Sequence, residues 1–440
     1  MQRFLNLLNL AKDPIDPATK QGQDSANDSL SHLVDSGIKF DNDNTGSDAF
    51  GRQRVSSPYT VYDIKQNTSA QPLFYDDQEV SGSGTSSVYN NDKASVTMSV
   101  AAGTAGKRVR QTKVWSQYQP GKSQMLIFSG NFRGAVPGVI KRSGMFFDSW
   151  GLFYQVDGTG ISAVIRTNNT SSPVDIAVHQ NNWNVDKLDG TGSSGINLDL
   201  EKAQLGVIDY EWLGIGQVRF CFKFDGRIVE VHRFTHSNSN EEVYMSNPNA
   251  PFRYEIENDG SGAAATFDHI CVSVQSEGGQ EENQIITYVS RDGSPITLAN
   301  QDLYTPVLSI RLKADRPCTR ITVKDLSIII TSAINYEWIL FINPAIAGTD
   351  QAVWLDIENS ALQFDISRNA TNFLSGGYKL EGGYGASSNQ IKNPTGDAVT
   401  SFLTIGSMID GSMDEFVLAV KNIEGNGGVC YAGLTVSEYC

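Results

Sequence analysis

The sequence predicts an all-β protein with two β-sandwich or jelly-roll-like domains behind a short N-terminal helical arm. Two observations carry this prediction. Only 19% of the 440 residues are charged and 41 are glycines, a composition typical of many short strands joined by turns. From residue 87 to residue 438, runs of β-branched and aromatic residues recur at short intervals, which is the pattern of a sandwich.

The clearest local signal is the stretch 216–234, GQVRFCFKFDGRIVEVHRF. Asp225-Gly226 joins two alternating runs, and such a link predicts a hairpin because glycine accepts the positive φ of a type I′ turn. One face of this hairpin is then apolar and the other mixed, as expected of antiparallel strands that cover a sandwich core. The expected pairs are Phe224 with Arg227, Phe222 with Val229, Phe220 with Val231, and Val218 with Arg233.

Residues 1–49 are predicted to form an anchoring helix and a polar arm. Phe4, Leu7, Leu8 and Ala11 recur at helical spacing and form an apolar stripe. A helix of about 12 residues is marginal in water on its own, so the stripe must dock on something. Two interpretations stay open: the stripe packs on another chain, as an assembly anchor does, or on the body of the protein itself.

The rest of the chain divides into two predicted domains. Residues 50–290 are expected to form the main β-sandwich, which is jelly-roll-like, with runs such as MLIFSGNF at 125–132. Residues 291–440 are expected to form a second β-sandwich, with runs such as RITVKDLSIIIT at 320–331.

Composition also excludes several classes of partner. The net charge of −15 argues against a nucleic-acid partner, because phosphate binding needs clustered Lys and Arg. No apolar run reaches the length of a membrane span, and the N-terminus lacks the small-residue cleavage site of a signal peptide. The five cysteines and five histidines show no metal-site spacing. We therefore expect free thiols, no metal and no cofactor.

One glycine motif invites a functional interpretation. Gly190, Gly192 and Gly195 match the pattern G-x-G-x-x-G. A dinucleotide site needs a strand before this motif and a helix after it, and the flanking residues predict neither. The motif therefore indicates a turn between strands.

A pair of carboxylates invites a second functional interpretation. Asp209 and Glu211 share a face of a predicted strand and are the nearest approach to the two carboxylates of a glycosidase. They alternate with Tyr210 and Trp212, so the aromatic side chains are predicted to point inward and the acids outward into solvent. No catalytic residue is therefore expected.

Aromatic residues on the surface are better functional candidates. Tyr378 and Tyr384 lie in SGGYKLEGGYGASS, a glycine-rich stretch that we predict to be a surface loop. A tyrosine on such a loop can stack on a sugar ring or anchor a protein contact. The alternative is an ordinary strand connection with incidental tyrosines.

Several blocks carry a resemblance to a known family. They include FGRQRVS at 50–56, LFYDDQEVSGSGTSS at 73–87, QYQPGKSQ at 117–124, LDGTGSSGINLDLEKAQLGVIDYEWLGIGQVRF at 188–220, YMSNPNAPFRYEI at 244–256 and TPVLSIRLK at 305–313. With these blocks, the chain from about residue 50 onward resembles virion structural proteins of tailed bacteriophages, which have relatives in large DNA viruses. These are described as head- or tail-fibre or appendage proteins.

The resemblance implies a non-enzymatic structural component of the virion. Its expected partners are capsid, portal or tail proteins, contacted through Phe4, Leu7, Leu8 and Ala11, and further copies of itself, most often as a trimer. Two alternatives stay open. One is a distal receptor- or glycan-binding adhesin that contacts a host surface glycan through Tyr378 and Tyr384. The other is a glycan-depolymerising enzyme.

Overall fold

β-Strands make up 55% of the described residues and helix 1%, and the sheets are antiparallel, which confirms the predicted all-β fold class. The computed structural model describes residues 48–440 except 51, 53–57, 170–171, 279–283, 299–301, 333, 387–390, 395–404, 425–426 and 440. The described residues belong to one compact unit that begins at Asp48. The predicted helical arm lies outside the described residues.

The amino-terminal sandwich consists of two sheets. Its strands are β1 Tyr59–Lys65, β2 Tyr75–Gly82, β3 Thr85–Asn90, β4 Ser95–Val100, β5 Gly106–Trp115, β6 Gln124–Asn131, β7 Val139–Phe146, β8 Gly151–Asp157, β9 Gly160–Thr167, β10 Val174–His179, β11 Gln204–Tyr210, β12 Val218–Phe224, β13 Arg227–Phe234, β14 Pro251–Asn258 and β15 Ala265–Ser276. Sheet I has the order β13-β12-β11-β6-β15-β4-β3, with β1 paired to β15, and sheet II has the order β10-β9-β8-β7-β14-β5-β2. A 3₁₀ turn spans Gln180–Asn182.

The carboxy-terminal sandwich consists of two further sheets. Its strands are β16 Gln284–Ser290, β17 Ile296–Thr297, β18 Thr305–Leu312, β19 Arg320–Ile330, β20 Asn335–Ile342, β21 Ala345–Ala347, β22 Leu355–Asp356, β23 Leu362–Asp365, β24 Phe373–Ser375, β25 Tyr378–Ala386, β26 Ile391–Pro394, β27 Glu415–Asn422 and β28 Val429–Tyr439. Sheet III has the order β16-β28-β19-β26, with β17 paired to β28, and sheet IV has the order β22-β23-β18-β27-β20-β25. Strands β21 and β24 pair with each other.

Each sandwich has its own apolar core. The larger cluster lies in the amino-terminal sandwich and includes Phe222, Tyr254 and Val274. The second cluster lies in the carboxy-terminal sandwich and includes Trp338 and Leu418. Strand β16, which the sequence places in the first domain, pairs with β28 in sheet III. The division of the chain at residue 290 stays a prediction.

The hairpin of β12 and β13 follows its turn chemistry and then departs from the expected register. Asp225 and Gly226 both have positive φ, 45° and 82°, as a type I′ turn requires. Phe224 pairs with Arg227 and Phe222 with Val229, as predicted. Beyond them a β-bulge adds one residue to β13, so Phe220 lies opposite His232 instead of Val231, and Val218 opposite Phe234 instead of Arg233.

A cluster of buried charged side chains lies on the outer face of sheet II. Glu255 on β14 is fully buried, and its carboxylate contacts Lys107 at 3.2 Å, Arg142 at 3.0 Å and Arg253 at 3.2 Å. Burial alone would raise the pKa of Glu255, but the charges of Lys107, Arg253 and Arg142 outweigh it and lower the pKa to about 2. Because every charge in this cluster has a partner, it stabilises the sheet only as a complete set.

Within the part of the chain that the structure describes, no helix is long and apolar enough to cross a membrane. Four of the five cysteines lie in that part, and Cys271, Cys318 and Cys430 are free thiols, as predicted.

Candidate functional site

The predicted site residues fall into two groups. Phe4, Leu7, Leu8 and Ala11 lie outside the described residues, so the docking stripe stays a prediction. Tyr378 and Tyr384 are described, and both are exposed.

The stretch that carries these tyrosines is a strand, which corrects the predicted loop. Tyr378–Ala386 forms β25, the edge strand of sheet IV, paired to β20. The glycines are there for close approach to β20. A Cβ on Gly382 would lie 2.9 Å from the carbonyl oxygen of Trp338, and one on Gly383 would lie 2.9 Å from Trp338 Nε1. Glycine therefore lets the edge strand press against β20, where a larger residue would hold it away.

The structure does not bring the two tyrosines together. Tyr378 pairs with Ile342, whose side chain belongs to the core, whereas Tyr384 pairs with Glu337, whose side chain lies on the outer face. A β-bulge between the two pairs reverses the alternation of faces along β25. Six residues of strand also separate the tyrosines by about 20 Å. They cannot stack on the same sugar ring.

Tyr384 begins a row of side chains that crosses three strands of the outer face. Glu337 on β20 pairs with Tyr384 on β25 and with Lys421 on β27. Glu337 Oε2 accepts a hydrogen bond from Tyr304 Oη at 2.8 Å and lies 2.7 Å from Lys421 Nζ. Lys421 Nζ also lies 4.8 Å from the centroid of the Tyr304 ring. Tyr384 lies at the β25 end of this row, and its side chain is 73% exposed.

These contacts fix the charge states in the row. Partial burial would raise the pKa of Glu337, but the hydrogen bonds from Lys421 and Tyr304 outweigh it and lower that pKa. The hydrogen bond to Glu337 raises the pKa of Lys421. Burial and the hydrogen bond to Glu337 raise the pKa of Tyr304. At neutral pH the row therefore holds one carboxylate, one ammonium and one neutral phenol.

A second cation lies near this row on the same face. Lys379 pairs with Phe341, which belongs to the apolar cluster on the outer face of sheet IV. Its ammonium lies 5.4 Å from the centroid of the Tyr304 ring, and no carboxylate of the described residues forms an ion pair with it. Gly382 lies between Lys379 and Tyr384 on β25 and leaves a gap with no side chain. The outer face thus offers an exposed ring, a bare stretch of backbone and an exposed ammonium that forms no ion pair with a described residue.

We call Tyr304, Glu337, Lys379, Lys421 and Tyr384 the Tyr384 cluster. It contains no nucleophile activated by a base and no pair of free carboxylates. The sequence analysis identified only Tyr384. Charged residues at outward-facing positions of apolar strands, such as Glu337 in YEWILF and Lys421 in VLAVKN, are a signal that could have found two others.

The carboxylate pair Asp209 and Glu211 is not a solvated face, which corrects the prediction. Arg219 lies opposite Asp209 on the neighbouring strand, and the two side chains form a buried ion pair. Ser123 Oγ donates a second hydrogen bond to Asp209 at 2.6 Å. Burial raises the pKa of Glu211, which accepts a hydrogen bond from the backbone N–H of Gln217. Strand pairing therefore ties Asp209 into the sheet.

The inward half of the same prediction is confirmed for Tyr210, which is fully buried in the core. The glycine motif forms a turn, as predicted: Gly190 N–H donates to the Ile196 carbonyl, and Asp189 forms an isolated bridge with Asn197. Among the described residues, no group of three or more His, Cys, Asp or Glu side chains could hold a metal ion.

Comparisons with known proteins find solved structures of similar fold and no related sequence. No family model matches the chain, and no curated protein matches its sequence. About half of the chain is similar to several solved structures. The CBM2 module of the evolved Dit of Lactobacillus casei BL23 phage J-1 is 10% identical, with a TM-score of 0.32, over 49% of this chain and 95% of that one.

Two other solved structures show the same level of likeness. The β-glucanase of Bacillus licheniformis is 7% identical, with a TM-score of 0.32, over 50% of this chain and 99% of that one. A legume lectin-like domain from Entamoeba histolytica is 10% identical, with a TM-score of 0.30, over 50% of this chain and 98% of that one. Likeness at this level says nothing about the ligand or activity of this protein.

Proposed function

We propose that this protein is a non-enzymatic virion protein that binds surface glycans through the Tyr384 cluster. The observation that carries the glycan proposal is the ring of Tyr384, 73% exposed on a strand whose backbone is held by pairing to β20. A rigidly mounted exposed ring offers an apolar face to the C–H face of a sugar at little entropic cost.

The cations beside the ring suggest the kind of glycan. Lys379 forms no direct ion pair among the described residues, although its charge helps to lower the pKa of Glu337, whereas Lys421 forms an ion pair with Glu337. The exposed ammonium of Lys379, on the same face as the Tyr384 ring, favours a glycan that carries carboxylate or sulfate groups. The protein as a whole has a net charge of −15, so this local cation is needed to offset long-range repulsion of an acidic ligand.

Binding of the full chain to acidic and neutral glycans, by array and then by calorimetry, tests this proposal. We expect Tyr384→Ala to weaken the binding of acidic glycans about tenfold, the loss of roughly 1.4 kcal/mol of stacking. Lys379→Gln should weaken the same glycans and lose the salt dependence. Tyr378→Ala is the matched control, since this tyrosine is exposed on the same strand but faces the other way. Equal losses for Tyr378→Ala and Tyr384→Ala, or no loss for either, would overturn the assignment.

The place of the protein in the particle is a separate part of the proposal. We propose that the stripe at Phe4, Leu7, Leu8 and Ala11 docks on a capsid, portal or tail protein, and that the protein assembles as a homo-oligomer, most often a trimer for such appendages. The apolar spacing of the stripe supports the docking, and the resemblance of the chain from about residue 50 onward supports a place in the particle. Deletion of residues 1–12 should leave glycan binding intact and abolish incorporation into particles. A truncated chain that still co-purifies with particles would show that the anchor lies elsewhere.

That the protein is not an enzyme also belongs to the proposal. The two carboxylates that the sequence offers for glycan cleavage, Asp209 and Glu211, are engaged in hydrogen bonds within the sheet. Incubation of the full chain with every glycan that it binds should release no reducing ends. Release that survives in the Asp209→Asn variant would point to a catalytic group elsewhere, and release that this variant abolishes would restore the enzyme interpretation.

A further inference from the structure

The outer face of sheet III carries a second tyrosine in an unusual position. Tyr288 on the edge strand β16 is 63% exposed. Its ring lies over Gly433 of β28: a Cβ on Gly433 would be 2.3 Å from Tyr288 Oη, 2.8 Å from Cζ and 2.9 Å from Cε2. Any other residue at position 433 would push the ring away. Glycine therefore lets the tyrosine lie down along the sheet, with one face turned to solvent.

A hollow of about 150 Å³ opens beside this ring. Strand pairing assembles it, because Ser290 and Ser327 both lie opposite Gly433, and Tyr431 lies opposite Ile329. The hollow is lined by Tyr288, Ser290, Arg291, Asp292, Gly293, Ser327, Ile329, Tyr431 and Ala432. The ring of Tyr288 thus forms one wall of a small cavity with mixed apolar and polar sides.

The polar groups of the hollow include two that have no partner. The backbone N–H of Asp292 donates to Ser290 Oγ at 3.1 Å, which fixes the turn, but the Asp292 carboxylate makes no ion pair with any described residue. The hydroxyl of Ser327 likewise makes no hydrogen bond within the described part of the chain. A carboxylate and a hydroxyl beside an aromatic face can accept and donate the hydrogen bonds that a sugar hydroxyl needs.

The charged group of the hollow that is exposed to a ligand is the Asp292 carboxylate. Arg291 lines it, but the Arg291 guanidinium is buried and donates to the carbonyls of Ser294, Val307 and Ile366. The guanidinium keeps its positive charge but is buried, so a ligand meets the carboxylate of Asp292 and not the cation. In the Tyr384 cluster the exposed charged group without an ion pair among the described residues is the ammonium of Lys379.

We infer that the hollow is a second glycan site, selective for uncharged sugar units. The sugar ring stacks on Tyr288, its hydroxyls donate to the Asp292 carboxylate and exchange hydrogen bonds with Ser327, and an acidic sugar is repelled by Asp292. This inference does not rest on the Tyr384 cluster, which lies on a different sheet and takes the opposite charge. The two sites together let one chain recognise two different units of a surface glycan.

The test is binding of the full chain to a panel of neutral and acidic oligosaccharides, by array and calorimetry, with far-UV circular dichroism and thermal midpoint as folding controls. Tyr288→Ala should weaken neutral sugars about tenfold and leave acidic ones unchanged. Gly433→Ala is the sharper variant, because it keeps every polar group and only lifts the ring. It should match Tyr288→Ala. Asp292→Asn should weaken neutral sugars and remove the discrimination against acidic ones.

Three outcomes would overturn the inference. One is that the wild-type chain binds no neutral oligosaccharide at millimolar concentration. Another is that Tyr384→Ala, and not Tyr288→Ala, removes neutral binding. A third is protein association through the edge strand β16, on which Ile285 and Ile286 are also exposed. If Tyr288→Ala changes the oligomer mass in light scattering and leaves sugar binding unchanged, the patch is a protein interface.

Discussion

On the outer face of sheet II, Arg253 is 1% exposed and Glu255 is fully buried, whereas the tyrosines on the outer faces of sheets III and IV are 63% and 73% exposed. The amino-terminal sandwich covers its outer surface with paired charges, and each charge is fixed by another. The carboxy-terminal sandwich places glycines beneath or beside tyrosines, so that rings remain accessible. The difference separates an outer face whose buried charges are paired with one another from outer faces that keep aromatic and polar groups exposed for a ligand.

The largest expected effect is on the charge cluster of sheet II. Glu255→Gln leaves the charges of Lys107, Arg142 and Arg253 without their common partner, and breaking a buried ion network in this way costs on the order of 3–5 kcal/mol. Urea unfolding of the full chain, followed by intrinsic fluorescence, measures the loss. The matched control is Glu257→Gln, whose side chain is 37% exposed and whose one ion pair among the described residues is with Arg142, at 3.4 Å. Similar costs for both variants would mean that the cluster is not the closed unit described here.

The hairpin core gives the next effect and separates scaffold from binding surface. Phe222 is fully buried against Tyr154 at a centroid distance of 4.8 Å, so Phe222→Ala should cost on the order of 3–5 kcal/mol through lost burial and the cavity left behind. Its effect on glycan binding at 20 °C should be negligible, because both proposed sites lie in the other sandwich. A thermal midpoint within a degree of wild type would show that the wrong face of the hairpin has been assigned to the core.

This hairpin also shows how far sequence reasoning reaches. The turn was predictable because Asp225-Gly226 is a local chemical signal, and the pairs next to it follow from the turn. The register beyond Phe222 was not predictable, since the bulge has no signature in the residues that form it. A second bulge, in β25, separates the faces of Tyr378 and Tyr384 in the same way.

The partners of Tyr384 were beyond sequence reasoning for a different reason. Glu337 and Lys421 come together only because β20 lies between β25 and β27 in sheet IV, and this order depends on the packing of the whole sheet. Similarly, Asp209 looked solvated from its own strand, and only the pairing of β11 with β12 sets Arg219 opposite it. Local chemistry predicts turns and faces, whereas the contacts that define a site come from strand order.

Acidic pH should destabilise the amino-terminal sandwich more than the carboxy-terminal sandwich. Burial lowers the pKa of His232 to about 4 and lowers those of His236 and His269, while no histidine lies between residue 270 and the C-terminus. Between pH 6.5 and 4 the unfolded chain binds a proton at His232 that the folded chain does not bind, so stability falls as the pH falls through this window. We expect the urea midpoint of the amino-terminal sandwich to fall over this range and that of the carboxy-terminal sandwich to change less.

A substitution of His269 tests this dependence of stability on pH. Its ring is fully buried, stacks on Tyr254 at 4.2 Å, and has no hydrogen-bond partner at either nitrogen within the described residues. His269→Phe keeps the stacking and removes the titration, so it should flatten the acid limb without lowering stability at pH 7. If the acid limb is unchanged in this variant, His269 already carries a proton in the folded state, and its burial has been misjudged.

The smallest effect is expected at the ion pair of the carboxy-terminal sandwich, and it completes the contrast with Glu255. Glu337→Gln removes the 2.7 Å contact with Lys421, but both side chains are partly exposed and water compensates, so the cost should stay below about 1 kcal/mol. The same change removes the negative charge that pairs with Lys421 and acts on Lys379. Acidic glycans should therefore bind a few-fold more tightly at low ionic strength, and the gain should vanish in high salt because exposed charges are screened. A cost as large as that of Glu255→Gln, or weaker binding of acidic glycans, would show that Glu337 supports the fold of the Tyr384 cluster and does not merely limit its charge.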